Sequence, residues 1–116
     1  MESIKGKASR YLLDTHVLLW WLFDDPKLSG QAHDIIQAPD NTILVSSASG
    51  WEIATKHRLG KLPHAGEAVR HLPFLLHKSR MTVLPIVMEH ALAAGALPGP
   101  HRDPFDRMLI AQGQIE

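Results

Sequence analysis

Four carboxylates stand at or just inside the starts of expected helices: Asp14, Glu52, Asp103 and Asp106. Asp14 also closes the short apolar run Tyr11-Leu12-Leu13. In a parallel sheet, ligands bind in the crevice beyond the carboxyl ends of the strands. Acids that end strands and open helices are therefore how such folds gather donors for hard cations. The segment Thr42-Ile43-Leu44-Val45-Ser46 reads as a second strand and delivers Ser46, then Glu52, to the same edge. Three or four oxygen donors there suit Mg²⁺ or Mn²⁺. Such ions support phosphoryl transfer or phosphodiester hydrolysis, because they orient the scissile phosphate and neutralise its developing charge.

Each acid also has a purely structural explanation. Ser49-Gly50-Trp51-Glu52 fits a capping box, in which the glutamate bonds back to the cap. Asp103-Pro104-Phe105-Asp106 fits a helix start, with an Asp cap and a second Asp on the positive end of the helix. Asp14 resists this reading best. Placed straight after Leu12-Leu13, at the end of a strand expected to be central, it would lie hard against the core. An unpaired charge there costs several kcal/mol unless a helix N-terminus, an arginine or a cation compensates it.

The elements that must position these groups alternate along the chain. Met1 to Arg10 is polar and reads as a flexible arm, and residues 11–116 as one domain. Tyr11 to Leu13 is expected as a buried strand, and Thr15 to Phe23 as a helix closed by Asp24-Asp25-Pro26. Ser29 caps a helix running to about Gln37. Thr42 to Ser46 is the clearest strand. A helix is expected from Ser49 to about Leu59, stopped by Gly60. Ala65 to Lys78 is helical, with a bend at Pro73. Met81 to Leu84 is a third strand, Val87 to Leu97 a helix, and the last helix starts near Asp103 with Pro104 in its first position. This order predicts an α/β fold, a parallel sheet flanked by helices on both faces. The sequence stops at Gln114-Ile115-Glu116, inside a helix and before the closing strand such a fold calls for.

Composition removes several alternatives. Twelve basic residues balance twelve acidic ones, so any nucleic-acid contact must be a local patch. With no cysteine, disulfides, thiolate metal sites and cysteine nucleophiles are excluded. Val17 to Phe23 is too short an apolar run to span a bilayer, so no membrane partner is expected and the chain reads as cytoplasmic. Eight histidines are present, but no H-x-x-x-H or H-E-x-x-H spacing, which argues against zinc. A Mg²⁺ phosphatase would need a nucleophilic Asp motif and a phosphate-binding lysine, and neither is found.

Three segments together resemble a known family. They are Leu12-Leu13-Asp14-Thr15-His16-Val17-Leu18-Leu19-Trp20, Ser46-Ser47-Ala48-Ser49-Gly50-Trp51-Glu52-Ile53-Ala54, and His101-Arg102-Asp103-Pro104-Phe105-Asp106-Arg107-Met108-Leu109-Ile110-Ala111-Gln112. In this order they look like PIN-domain proteins, and specifically the VapC-type toxins of type II toxin–antitoxin pairs. The resemblance implies a PIN-like Rossmannoid fold and a Mg²⁺- or Mn²⁺-dependent endoribonuclease. It implies that Asp14, Glu52 and Asp106 bind metal, with Asp103 a companion and Thr15 a hydrogen-bonding orienter of the first acid. It also implies a cognate antitoxin and a homodimer. A fourth acid that many members carry would fall after Glu116.

Other residues have two readings each. Arg102 and Arg107 flank the acids and are expected either to hold RNA phosphate or to pair with Asp103 or Asp106. His16 and His101, beside the motifs, are expected as structural or semi-exposed. Trp20, Trp21 and Phe23, with Leu22, form an aromatic block; adjacent positions lie 100° apart on a helix, so part of it is expected at a partner interface. Trp51 is expected in the core. The competing functional class is a truncated, catalytically impaired PIN-like module that binds an antitoxin or its own twin but cleaves nothing.

Overall fold

Three short parallel strands organise the chain: β1 (Arg10–Leu12), β2 (Thr42–Ser46) and β3 (Met81–Leu84). In the computed structural model, which describes residues 9–99 and 103–116, they lie in the order β1-β2-β3. Leu12 pairs with Leu44, and Ser46 with Leu84. The parallel register brings all three carboxyl ends to one edge. β2 is the middle strand, and its aliphatic run Ile43-Leu44-Val45 is buried, as a strand flanked on both sides demands. β1 differs from the expectation of a buried central strand. It begins one residue earlier, at Arg10, and is an edge of the described sheet, with Tyr11 38% exposed.

Among the described residues six α-helices surround the sheet: α1 (Thr15–Leu22), α2 (Gly30–Gln37), α3 (Ser47–Arg58), α4 (Gly66–Lys78), α5 (Met88–Ala96) and α6 (Pro104–Ile115). Local chemistry explains most of their ends. Ser29 caps α2 through its hydroxyl, which accepts the Ala32 N–H at 3.0 Å. α3 closes in a Schellman turn, where the Gly60 N–H reaches the His57 carbonyl and the Lys61 N–H reaches that of Lys56. Gly60 has φ +79° there, a conformation that strains any residue with a Cβ. α4 is kinked at His71 (φ −122°), two residues before Pro73, whose ring and missing N–H disrupt the preceding turn.

The core lies between α1, α3, α4 and the sheet. Leu18 and Ile53 are fully buried within it, beside Leu13, Ile43, Val45 and Leu76. Burying each such side chain contributes roughly 1.5–3 kcal/mol. Their placement anchors α1 and α3 side by side, which matters because each carries one of the acids. Among the described residues no helix is long and apolar enough to cross a membrane. Most of the expected amino-terminal arm, residues 1–8, lies outside the described residues.

Candidate metal centre

Asp14 leaves β1 and becomes the cap of α1. Its Oδ1 accepts the His16 N–H at 3.0 Å, and the side chain is 62% exposed. The expected burial against the core does not occur, because β1 is an edge strand and its end opens to solvent. The desolvation cost predicted for Asp14 falls on Glu52 instead.

Glu52 is 3% exposed. The capping-box reading fails for it, because α3 starts two residues earlier than expected: Ser46 is the cap, its Oγ accepting the Ala48 N–H at 2.9 Å. Glu52 therefore lies in the second turn, on the inward stripe that carries Ala48, Ser49 and Ile53. Its Oε2 accepts the Lys56 Nζ at 2.5 Å, and its Oε1 is buried without a hydrogen-bond partner among the described residues. A buried carboxylate oxygen left in that state is costly and calls for a cation or donor. The same helical offset turns Trp51 outward. It is 62% exposed and meets Phe105 edge to face at 4.8 Å, so the core placement expected of it is wrong.

α6 supplies the other two acids. Asp103 caps it, its Oδ1 accepting the Phe105 N–H at 2.7 Å, with Pro104 at the first helical position. Asp106 follows one turn in. Its carboxyl is pushed above the ordinary aspartate range, first by partial burial, then by the charges of Asp103, Glu52 and Asp14, with Lys56 opposing. Repulsion of this kind requires that the four acids share one field. Asp14 and Asp106 also line a single open cleft of about 390 Å³, walled by Leu12, Leu13, Leu109 and Ile110.

Lys56 completes the electrostatics. Its ammonium is held protonated above the usual lysine range, chiefly by its hydrogen bond to Glu52; burial opposes this, and the charges of Glu52, Asp103 and Asp106 add to it. Sequence reasoning missed this residue, although a glutamate four positions before a lysine on a helix is a recognisable pair. Among the described residues, no three His, Asp or Glu side chains close tightly enough to hold a metal as they stand. The donor set nevertheless fits a hard divalent cation: it is all carboxylate oxygen, and it includes the orphaned Oε1 of Glu52.

The sequence profile of the PIN domain matches residues 11–116. The chain belongs to the PIN-domain family. A curated relative, Ribonuclease VapC16 of Mycobacterium tuberculosis (strain ATCC 25618 / H37Rv), is 37% identical over 73 residues, which are 60% of this chain and 50% of the relative. The match thus spans about half the length of that relative. No solved structure matches the chain at a significant level.

Further side chains hold the PIN domain's acids in place. Thr15, the first residue of α1, shares a buried hydrogen bond of 2.8 Å with Ser49 of α3. It thus joins the two acid-bearing helices, where an orienting bond to Asp14 itself was expected. Arg107 makes neither of the expected ion pairs with Asp103 or Asp106. Its guanidinium donates to the carbonyls of Ala94 (3.1 Å) and Leu97 (2.6 Å), with longer contacts to Gly95 and Gly99. The carbonyls at the end of α5 are unsatisfied acceptors and carry the negative end of the helix, so they outcompete the acids. With its donors so used, Arg107 ties α6 to the end of α5. Arg102 and His101 lie outside the described residues. His16 is exposed beside Asp14, at 3.6 Å.

The aromatic block divides as helical geometry requires. Trp21 packs against the core and donates its indole N–H to Ser79 at 3.1 Å. Trp20 is half-buried near His16, and Phe23 is 37% exposed against His64.

Proposed function

We propose that this PIN domain is a divalent-metal-dependent endoribonuclease that hydrolyses RNA phosphodiester bonds in the cytoplasm and is neutralised by a cognate antitoxin. The observation that carries this reading is the meeting of Asp14, Glu52, Asp103 and Asp106 in one field at the sheet edge, with Glu52 buried and one of its oxygens orphaned. The relative named as a ribonuclease supports it.

Asp14, Glu52 and Asp106 would hold Mg²⁺ or Mn²⁺, with Asp103 assisting. When bound, such an ion activates water and neutralises charge on the phosphate. The chain's own part is positioning. Glu52 offers a fixed, buried carboxylate, while Asp14 and Asp106 present exposed ones across a cleft open enough to admit an RNA backbone. The Thr15–Ser49 bond holds α1 and α3 at a constant separation, which sets the distance between the first two acids. Arg107 ties α6, which carries Asp106, to the end of α5. Phe23 and Trp20 offer aromatic surface to a protein partner, the antitoxin or a second copy of the chain.

The test compares wild type with Asp14→Asn in Mn²⁺-dependent cleavage of RNA. Asp14 is exposed, so the variant folds; cleavage should fall by at least about a hundredfold if the acid holds the ion. Equal activity in the two proteins would sink the assignment. No cleavage by wild type, with antitoxin still bound, would favour the binding-module reading.

A further inference from the structure

Resting on the metal-centre reading above, we infer that Lys56 is an internal counter-cation, which holds the acids together before metal arrives and must leave Glu52 for a divalent ion to bind. The geometry is specific. Lys56 follows Glu52 by four residues on α3, so its side chain runs along the helix and sets Nζ 2.5 Å from Oε2 of the one deeply buried acid. The lysine side chain itself is 31% exposed and therefore has a path back to solvent. A partly exposed ammonium can swing away by rotating its flexible stem; the buried glutamate cannot follow it.

Glu52 has two carboxylate oxygens to offer a cation, and Lys56 holds one of them. The ammonium thus takes up a buried oxygen that a divalent cation at this site would need. Two cations cannot share that position, and the ion brings twice the charge. Metal binding is consequently an exchange, in which one buried oxygen of Glu52 is already free and the other must be released.

The experiment measures Mn²⁺ binding calorimetrically to the intact protein, wild type and Lys56→Met, alongside melting temperatures in EDTA and in Mn²⁺. If Lys56 competes with the ion, Lys56→Met binds Mn²⁺ about tenfold more tightly. It should melt lower in EDTA and gain more from Mn²⁺ than wild type does. Unchanged affinity would reduce Lys56 to an ordinary helix ion pair, and weaker affinity would make it an organiser of the acids; either result overturns the exchange. Should the variant fail to fold, wild type suffices: the Lys56 Cε–Hε NMR signal must shift on titration with Mg²⁺, and a static signal refutes the proposal. If Mn²⁺ binds neither protein, the metal-centre reading itself has failed, a result separable from binding that is present but insensitive to Lys56.

Discussion

Thr15 Oγ1 and Ser49 Oγ lie 2.8 Å apart in the buried interior, and their bond ties the first turn of α1 to the first turn of α3. Each hydroxyl is the other's side-chain partner. Removing one alone strands its partner in an apolar site. Ser49→Ala should therefore destabilise the fold by about 1–3 kcal/mol. Thr15→Val combined with Ser49→Ala should cost less than the sum of the two single changes, because neither hydroxyl remains stranded. Urea denaturation of the four proteins measures this coupling, and strict additivity would deny it.

Arg107 provides a second test. Its guanidinium satisfies carbonyls at the end of α5, and hydrogen bonds made by charged donors contribute about 1.5–3 kcal/mol. Arg107→Ala should lose stability of that order in chemical denaturation. The salt dependence of RNA binding should keep its wild-type slope, since no phosphate contact is removed. A slope reduced by about one would return Arg107 to the phosphate-binding role.

Trp51 separates a core from a surface position. At 62% exposed, with Phe105 its aromatic neighbour, Trp51→Ala should cost no more than about 1.5 kcal/mol, the value of an aromatic pair. A core tryptophan would cost about 3–5 kcal/mol. Thermal unfolding distinguishes the two.

The raised pKa of Asp106 makes stability without metal depend on pH. Above an ordinary value of 3.8, the folded protein keeps this proton longer than the unfolded chain does. The associated stability is fully present below the unfolded value and is lost as pH rises through the raised folded one. Asp106→Asn cannot ionise and escapes this loss. In EDTA, its melting temperature should therefore gain on wild type as pH rises above the ordinary aspartate value of 3.8. If it falls behind instead, the helix N-terminus stabilises the charge more than the neighbouring acids oppose it.

Much of this structure was readable from residue types alone. Thr42–Ser46 and Met81–Leu84 carry dense aliphatic runs between turn residues, and both strands have the expected bounds. Ser29 and Asp103 are caps because their oxygens have orphan N–H groups to accept. Three misreadings have physical causes. Ser46 and Ser49 are equally good caps by type, and choosing the later one concealed the burial of Glu52 and turned Trp51 inward. The rank of β1 in the sheet depends on pairing, which apolar character does not encode. Arg107 found its partners thirteen residues back in the chain, at the end of another helix, where carbonyls leave no signature in sequence.

The acids reach the site from well-separated parts of the chain, Asp14 at the start of α1, Glu52 on α3 and Asp106 on α6. A site of such high contact order cannot exist on a fragment or a half-made chain. During synthesis α6 leaves the ribosome after every residue that precedes it, so the four acids can meet only once the whole stretch from Asp14 to Asp106 has emerged.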